Sequence, residues 1–378
     1  MTYCDYNATA PLRPEAREAM LLAMDVQANA SSVHSAGRRA RRMIESARTA
    51  IGGVIGSRSE DVVFTSGGTE ANALAILGAL AKIEHAVWFY SDLEHPAVRD
   101  LAMSGRFETR RVAVLPNGTM DLEDLAQKLQ SLDGQTPFLS LMLANNETGV
   151  IQPVAKACAL VRKYDGLVHC DAVQAVSKIP VSVGMLGVDY LAMSAHKCGG
   201  PQGVGALWHR AGAPLLPQQI GGGQEKSIRS GTENLIGIAG FAAAVEASDP
   251  YKEAPRIEKM RSVFETALKQ AARVTFFGDH LERLPGTSCF ALEGFKGETQ
   301  VMAMDLAGFA VSSGSACSSG KVRTSSVLLA MGASDALASS ALRVSFGWRS
   351  EAEDAQALAE AWLKAARRVS SHAFKEIA

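Results

Sequence analysis

The sequence predicts an α/β protein: a large domain with a mainly parallel central sheet flanked by helices, plus a smaller α+β domain. From about Ala16 to Val245, apolar strand-like runs alternate with helical stretches, which is the order of parallel βαβ units. After Ser248-Asp249-Pro250 the order changes to long helical stretches and shorter strands. The predicted boundaries are residues 14–250 for the large domain, and residues 1–13 and 251–378 for the smaller one.

Periodicity predicts the individual elements. Leu74 and Leu77 on one face indicate a helix over Glu70–Lys82, and Leu358 and Trp362 at i, i+4 indicate a helix over Glu351–Val369. A third long helix is expected over Arg256–Ala272. Strands are predicted at Asp61–Ser66, Ala86–Tyr90, Phe138–Leu143, Gly166–Cys170, Tyr190–Met193, Ser288–Leu292, Phe309–Ser312 and Leu342–Phe346.

Composition excludes several classes of function. The 378 residues are 47% hydrophobic and 20% charged with a net charge of -1, which gives no electrostatic case for nucleic acid or an anionic membrane. The most apolar stretch, Ala71–Tyr90, is interrupted by Lys82 and Glu84, so no membrane span is expected. The first residues lack a signal-peptide pattern, and a cytoplasmic location is expected. The six cysteines include no CxxC pair, so neither disulfides nor a metal site is expected.

Lys197 ends one of the predicted strands. The apolar run Asp189–Met193 is followed by Ser194, His196, Lys197 and a glycine-rich turn. A lysine at the end of a core strand is costly to place without a partner, although a solvated loop lysine is the simpler interpretation. Pyridoxal phosphate is one such partner, because it requires a lysine amine, a carboxylate for its ring nitrogen and a phosphate cup.

A carboxylate ends the preceding strand. Asp171 follows Leu167–Cys170 and lies one strand-helix-strand interval before Lys197, so both belong to one edge of a parallel sheet. The carboxylate can pair with a protonated pyridine nitrogen, and Gln174 can donate to a ring hydroxyl. Singly, a helix N-cap explains Asp171 and a surface amide explains Gln174. Their shared edge with Lys197 favours the joint hypothesis.

Three further turns follow predicted strands. The turn at Gly68 and Thr69 opens a helix and suits a phosphate, although many strand–helix turns are rich in glycine. His95 can stack on a heteroaromatic ring and move protons, or it can simply cap the helix that Pro96 opens. Asn146, in Asn145–Gly149, can contact a ring hydroxyl or a substrate carboxylate, or it can belong to an ordinary turn.

Cys317 lies in a small, polar segment. Val311–Lys321 contains too little apolar surface to bury itself, so a mobile surface loop is expected. Lys321 and Arg323 favour the thiolate form of a nearby cysteine. The segment therefore predicts an exposed nucleophile, and the alternative is an incidental surface thiol.

Taken together, these residues resemble the cysteine desulfurases of the NifS/IscS type, within the class V aminotransferase-like, fold type I pyridoxal phosphate enzymes. The resemblance covers nearly the whole chain. The matching stretches are Asp5–Pro11, Asn29–Gly37, Phe64–Asn72, Glu94-His95, Asn145–Gly149, Asp171–Gln174, Ser194–Gly200, Arg229–Thr232, Ser312–Cys317 and Arg343–Gly347.

The resemblance implies a role for each matching residue. Lys197 would bond the cofactor aldehyde and move the substrate Cα proton, and Asp171 would pair with the ring nitrogen. His95 would stack on the ring and relay protons. Other cofactor contacts would come from Asn146 and Gln174 at the hydroxyl, from Gly68, Thr69, Ser194 and His196 at the phosphate, and from Thr232 of a second subunit, which implies a homodimer. Arg343 would bind the substrate carboxylate with help from Asn29 and Asn146.

The implied reaction converts L-cysteine to L-alanine and leaves the sulfur on Cys317 as a persulfide. An acceptor protein would take it, most plainly an iron–sulfur scaffold, with nitrogenase maturation, tRNA thiolation or other thio-cofactor synthesis as alternatives. A selenocysteine lyase and another aminotransferase-like enzyme are competing interpretations, although the latter has no need of Cys317. A non-catalytic sulfur-relay scaffold is a third, and the intact set of Lys197, Asp171, His95 and Cys317 argues against it.

The chain departs from the family pattern at three places. Cys198 stands where an aliphatic residue is more usual, and we expect it to be a packed thiol. Gln224 stands where some relatives have His. Arg323-Thr324 reverses the charge of the segment after Cys317, which bears on the choice of acceptor rather than on the chemistry.

Overall fold

A computed structural model describes residues 1–314, 324–369 and 374. Its elements are numbered in chain order. The strands are β1 (Thr2–Tyr3), β2 (Val62–Thr65), β3 (Ala86–Ser91), β4 (Thr109–Val112), β5 (Thr136–Ser140), β6 (Leu167–Asp171), β7 (Tyr190–Ser194), β8 (Gly205–His209), β9 (Thr275–Phe276), β10 (Thr287–Ala291), β11 (Phe309–Ala310), β12 (Ser312–Ser313) and β13 (Ala341–Ser345). The helices are α1 (Pro14–Met24), α2 (Ser35–Val54), α3 (Gly68–Leu80), α4 (Pro96–Ala102), α5 (Leu122–Gln130), α6 (Val154–Val161), α7 (Val183–Leu186), α8 (Leu235–Glu246), α9 (Pro250–Ala271), α10 (Gly297–Leu306), α11 (Ser326–Ala330), α12 (Asp335–Ser339) and α13 (Ala352–Val369).

The central sheet has the strand order β2-β8-β7-β6-β5-β3-β4. Strands β3 to β7 run parallel, whereas β8 is antiparallel to both β2 and β7. Asp171 at the end of β6 is level with Ala192 of β7, two residues before Ser194. The predicted α/β class with a mainly parallel sheet is therefore confirmed, and the ends of β6 and β7 meet at one edge.

Helices cover both faces of this sheet. Alternate residues of a strand point to opposite faces, and β3 sends Val87 and Phe89 into one apolar cluster but Trp88 and Tyr90 into another. The first cluster includes side chains of α2, α5, α6 and α8, and the second includes those of α3 and α4. A strand buried on both faces is apolar throughout, which is why these runs stand out in the sequence.

A second, antiparallel sheet has the order β12-β13-β10-β9. Helices α9 and α13 pack on it through Phe264 and Trp362, whose rings both contact Phe290. The start of the chain joins this part, because β1 pairs with β11 and Cys4 lies in the same cluster. The division into residues 14–250 and the remainder stays a prediction.

Two helix starts differ from the sequence prediction by more than one residue, and β5 covers Thr136–Ser140 rather than the predicted Phe138–Leu143. Helix α3 begins at Gly68 rather than Glu70, so the glycine turn itself forms the first helical turn. Helix α9 begins at Pro250 rather than Arg256, because the Asp249 side chain caps it there by accepting from the Lys252 N–H, and it contains Pro255 in its interior. Among the helices of the described residues, none combines the length and apolar character that a membrane span needs.

Candidate active site

One cavity of about 210 Å³ lies where β6 and β7 end and α3 and α4 begin. Every predicted cofactor contact except Thr232 lines it. The lining residues are Gly68, Thr69, Asn72, His95, Met142, Ala144, Asn146, Asp171, Val173, Gln174, Ser194, His196 and Lys197. Side chains that are far apart in the sequence thus converge at the carboxyl edge of the sheet, as an open α/β sheet requires.

Lys197 reaches the cavity from a single 3-10 turn after β7. Its Nζ donates to the carbonyl oxygens of Asn7, at 2.5 Å, and Ala8, at 2.7 Å. Both acceptors belong to the N-terminal segment, which crosses to the edge of the large sheet. These contacts hold the amine in place at the cavity wall. They also provide the hydrogen-bond acceptors that a lysine at the end of a core strand needs.

Asp171 is buried and accepts two hydrogen bonds. Its Oδ1 accepts from the backbone N–H of Val173 at 3.0 Å, and its Oδ2 accepts from Nδ2 of Asn72 at 2.8 Å. Turns rather than a helix follow it over residues 173–178. The helix N-cap interpretation of Asp171 is therefore wrong, and the carboxylate is held by turn and side-chain donors against the cavity.

His95 both caps α4 and lines the cavity. Its Nδ1 accepts from the backbone N–H of Ala97 at 3.1 Å, which leaves the proton of the neutral ring on Nε2. Burial lowers the pKa of His95, and the charge of Lys197 lowers it further against the opposing effect of Asp171. The imidazole is thus neutral near pH 7. The two interpretations of this histidine from sequence were not exclusive.

The opposite end of the cavity suits an anion. No side chain caps the start of α3, so the first N–H groups of the helix face outward with its positive dipole end. A Cβ at Gly68 would come within 2.7 Å of Cγ2 of Val173, so a larger residue would close this end. Thr69, Ser194 and His196 complete the wall, and burial lowers the pKa of His196 to about 4.

These groups fit pyridoxal phosphate. The cavity offers an amine to its aldehyde, a carboxylate to its ring nitrogen and an uncapped helix start to its phosphate. Lys197, Asp171 and the turn at Gly68 and Thr69 would hold the three parts of the cofactor.

Comparison with known proteins points the same way. The model of the class-V aminotransferase family matches residues 2–358. The cysteine desulfurase IscS of Dictyoglomus turgidum is 40% identical over 364 residues, 93% of this chain and 91% of that protein. The chain belongs to the class-V aminotransferase family. An IscS-like cysteine desulfurase of Mycobacterium tuberculosis is 37% identical over 95% of each chain. The solved structure of a NifS-like protein from Rickettsia africae superposes with a TM-score of 0.89 at 33% identity, covering 97% of this chain and 99% of that one.

Three residues with family roles lie outside the cavity. Arg343 is buried behind it, where Nη1 donates to the Asn146 carbonyl at 3.0 Å and Nη2 pairs with Asp5 at 2.7 Å. Asn29 is exposed, and its side chain accepts from the N–H of Ser31. Thr232 is exposed as well. The substrate roles of Arg343 and Asn29 and the inter-subunit role of Thr232 stay predictions.

Cys317, Lys321 and Arg323 lie outside the described residues. The described residues on either side of that segment are Gly314 and Thr324. Ser325 Oγ donates to Glu147 at 2.5 Å, and a Cβ at Gly314 would lie 3.7 Å from the same carboxylate. Both flanks therefore adjoin Glu147, the neighbour of the cavity residue Asn146.

Lys178 and Asn7, which the sequence did not single out, form hydrogen bonds with residues of the predicted site. Lys178 is half-buried and donates to Oε1 of Gln174 at 2.7 Å and to Oδ1 of Asn7 at 2.8 Å. Burial lowers its pKa to about 7, with the charge of Lys197 adding to the effect. Nε2 of Gln174 donates to the Asn7 carbonyl. Asn7 belongs to a stretch that resembles the family, but nothing in the spacing of the residues signals that it meets Lys178.

The five cysteines of the described residues are buried and unpaired. Cys198 does not line the cavity. Its Sγ contacts the carbonyl oxygens of Val176 at 3.4 Å and Ser194 at 3.6 Å. Burial raises its pKa. Cys198 is thus a packed thiol, as expected, and burial also raises the pKa of Cys4 and of Cys158 to about 12.

Glu94 gives the fold a testable pH dependence. Its side chain is buried, Oε1 accepts from the Met142 N–H at 2.9 Å, and burial raises its pKa from 4.5 to about 8. The folded state therefore holds the proton between these two values while the unfolded state releases it, so stability falls as pH rises from about 4.5 to about 8.

We predict that Glu94→Gln reduces the loss of unfolding free energy between low and high pH by a few kcal/mol, because the amide cannot ionise. Urea unfolding of both proteins at about pH 5.5 and pH 8.5 measures the effect. An equal loss of unfolding free energy in the two proteins would contradict the assignment.

Proposed function

We propose that this chain is a pyridoxal phosphate-dependent cysteine desulfurase, which converts L-cysteine to L-alanine and carries the sulfur as a persulfide on Cys317. The observation that supports it most is the single cavity in which the amine of Lys197, the carboxylate of Asp171 and the uncapped start of α3 meet. The cysteine desulfurases among the relatives give the substrate.

The residues of the cavity would divide the work. Pyridoxal phosphate, when bound, supplies an electron-accepting ring that stabilises negative charge on the substrate Cα. Lys197 Nζ, once displaced by the substrate amine, takes the Cα proton and returns one later, guided by the carbonyls of Asn7 and Ala8. His95, neutral and with its proton on Nε2, exchanges protons with the reacting groups.

Cys317 would then perform the sulfur step. Its thiolate attacks the sulfur of the substrate, so that an S–S bond forms and the Cβ–S bond breaks. The electron pair of the broken bond goes to the carbon fragment, which is protonated and leaves as L-alanine. The flanks of the Cys317 segment support this role, because Gly314 and Ser325 adjoin Glu147 beside the cavity.

Product analysis tests this function. With L-cysteine and a reductant, the purified protein is expected to release L-alanine and sulfide in equal amounts. A keto acid in place of alanine would indicate an aminotransferase, and turnover of selenocysteine alone would indicate a lyase specific for selenium. Absence of turnover with bound cofactor would leave the sulfur-relay scaffold.

A homodimer with shared sites completes the proposal. Thr232 is exposed, and Ile220, near it in the chain, is 89% exposed, which suits a surface that meets a second copy. Thr232 would enter the phosphate cup of the partner subunit. Sedimentation is expected to give a dimer, and a fully active monomer would contradict this placement.

A mixing experiment separates shared sites from mere dimerisation. Thr232→Glu would place a negative charge against the phosphate of the partner's site, and Lys197→Ala inactivates a subunit's own site. Each variant alone should be inactive, whereas the mixed dimer should regain one working site. Absence of recovery in a confirmed mixed dimer would place Thr232 outside the partner's site.

The proposal also includes the protein that accepts the sulfur. An iron–sulfur scaffold or another sulfur-acceptor protein in the cytoplasm would accept it from Cys317. Lys321 and Arg323 give the segment a positive charge, which favours an acidic surface on the acceptor.

A further inference from the structure

A chain of buried side chains leads through the large sheet to Asp171. Nε1 of Trp88 in β3 lies 2.9 Å from Oγ of Ser140 in β5, and that oxygen lies 3.2 Å from Nδ1 of His169 in β6. Nε2 of His169 lies 2.9 Å from Oδ1 of Asn72 in α3, whose Nδ2 lies 2.8 Å from Asp171. Four elements thus contribute to one continuous line of hydrogen bonds.

The first residue of this line fixes the direction of the bond at its own end. The indole N–H can only donate, so Oγ of Ser140 accepts from Trp88 and keeps a hydrogen that can point at Nδ1 of His169. With that hydrogen pointed at Nδ1, the ring proton lies on Nε2, which donates to Oδ1 of Asn72. In this arrangement the amide turns its NH₂ group towards Asp171.

The last residue demands the same direction. An ionised carboxylate only accepts, and turning the Asn72 amide over would place its oxygen against a carboxylate oxygen of Asp171. The acceptor-only carboxylate therefore fixes the intermediate bonds of the neutral line, and the donor-only indole is compatible with them. The orientation of the Asn72 amide and the tautomer of His169 therefore follow from the hydrogen bonds themselves.

The imidazole in this line carries no charge. His169 is wholly buried, and burial lowers its pKa to about 3. A charged ring would donate from both nitrogens and would oppose the hydrogen that Ser140 points at Nδ1. The line therefore keeps one arrangement near neutral pH.

We propose that Trp88, Ser140, His169 and Asn72 are positioning residues that hold Asp171 as an oriented acceptor for the ring nitrogen of the cofactor. The inference rests on the proposed role of Asp171. The backbone N–H of Val173 binds the other carboxylate oxygen, so the group is fixed from two sides. Low polarity around the line strengthens each bond and makes an unpaired member costly.

The histidine tautomer tests the direction of the line. Nitrogen-15 NMR of protein labelled at histidine, with the signal assigned by its loss in His169→Gln, is expected to report a proton on Nε2 and no titration from about pH 5.5 to pH 9. The apoprotein serves for this measurement. A proton on Nδ1, or a titration within that range, would overturn the proposed direction.

Cofactor affinity tests the positioning role. Asn72→Leu removes the donor to Asp171 and should weaken pyridoxal phosphate binding about tenfold, the effect of one hydrogen bond to a charged group. Trp88→Phe and Ser140→Ala should each weaken it severalfold. Apoprotein is titrated with the cofactor, and the visible absorption of the complex is followed.

Trp362→Phe is the matched control. Trp362 is as deeply buried as Trp88, and its indole N–H likewise donates to one side chain, Gln300, at 2.8 Å. The two variants lose the same group, but Trp362 lies in the cluster around α13. Unchanged affinity is expected for Trp362→Phe.

If the Asn72, Trp88 and Ser140 variants all bound the cofactor as tightly as the control, the line would only satisfy buried polar groups and the proposal would fail. If the wild-type protein bound no pyridoxal phosphate, the proposed function itself would fail. The nitrogen-15 measurement distinguishes the two cases, because the tautomer of His169 does not depend on the cofactor.

Discussion

Lys197→Ala is expected to yield a colourless protein that releases no alanine from cysteine. The substitution removes both the amine that bonds the cofactor aldehyde and the base that moves the Cα proton. Proton transfer by a positioned group alone accounts for about 10²–10⁴ in rate, so a loss of at least about a thousandfold is expected. The carbonyls of Asn7 and Ala8 would lose the Lys197 amine, although that of Asn7 would keep Nε2 of Gln174, and the strand and turn that precede residue 197 would remain.

Absorption spectroscopy and product analysis measure both effects. Lys252→Ala is a suitable control, because Lys252 is an exposed lysine that pairs with Asp249 at the start of the same helix. It should keep the yellow colour and the activity of the wild type. A Lys197→Ala protein with an unchanged visible spectrum would refute the assignment of Lys197.

Cys317→Ala should separate the two halves of the chemistry. The variant is expected to keep the cofactor and its visible absorption, because none of the groups around the cavity is altered. Sulfide release from cysteine should fall close to background, because no thiolate remains to take the sulfur. The assay is sulfide release with a reductant, alongside the absorption spectrum of the same sample.

Cys198→Ala is the matched thiol control. Cys198 adjoins Lys197 in sequence, but its buried Sγ faces the carbonyls of Val176 and Ser194, and it lines no part of the cavity. The variant should retain most of its activity. Full activity in Cys317→Ala would exclude the persulfide route, and loss of activity in Cys198→Ala with cofactor retained would assign the nucleophile to Cys198 instead.

Sequence patterns predicted the cavity because parallel strands impose a simple rule. Residues that end such strands meet at one edge, so Asp171 and Lys197 could be placed together from their spacing. The interpretation of Asp171 as a helix cap was wrong, because hydrogen bonding of the carboxylate to the N–H of Val173 forms a turn instead. Local propensity alone could not separate these two outcomes.

Contacts between distant segments could not be predicted in this way. Asn7 meets Lys197, Gln174 and Lys178 only because the N-terminal segment crosses to the edge of the large sheet. The line behind Asp171 joins four elements, and its direction follows from atomic donors and acceptors. Neither hydrophobic periodicity nor turn signals contain that information, since both describe one element at a time.

Mass spectrometry of Cys317 tests the central claim most directly. The protein is incubated with L-cysteine without reductant, blocked with an alkylating reagent and digested. The peptide that contains Cys317 is predicted to gain the mass of one sulfur atom, and the peptides of Cys4, Cys158 and Cys198 are predicted to gain none, because burial raises the pKa of each of those thiols. An unmodified Cys317 in a sample that has produced alanine would contradict the account.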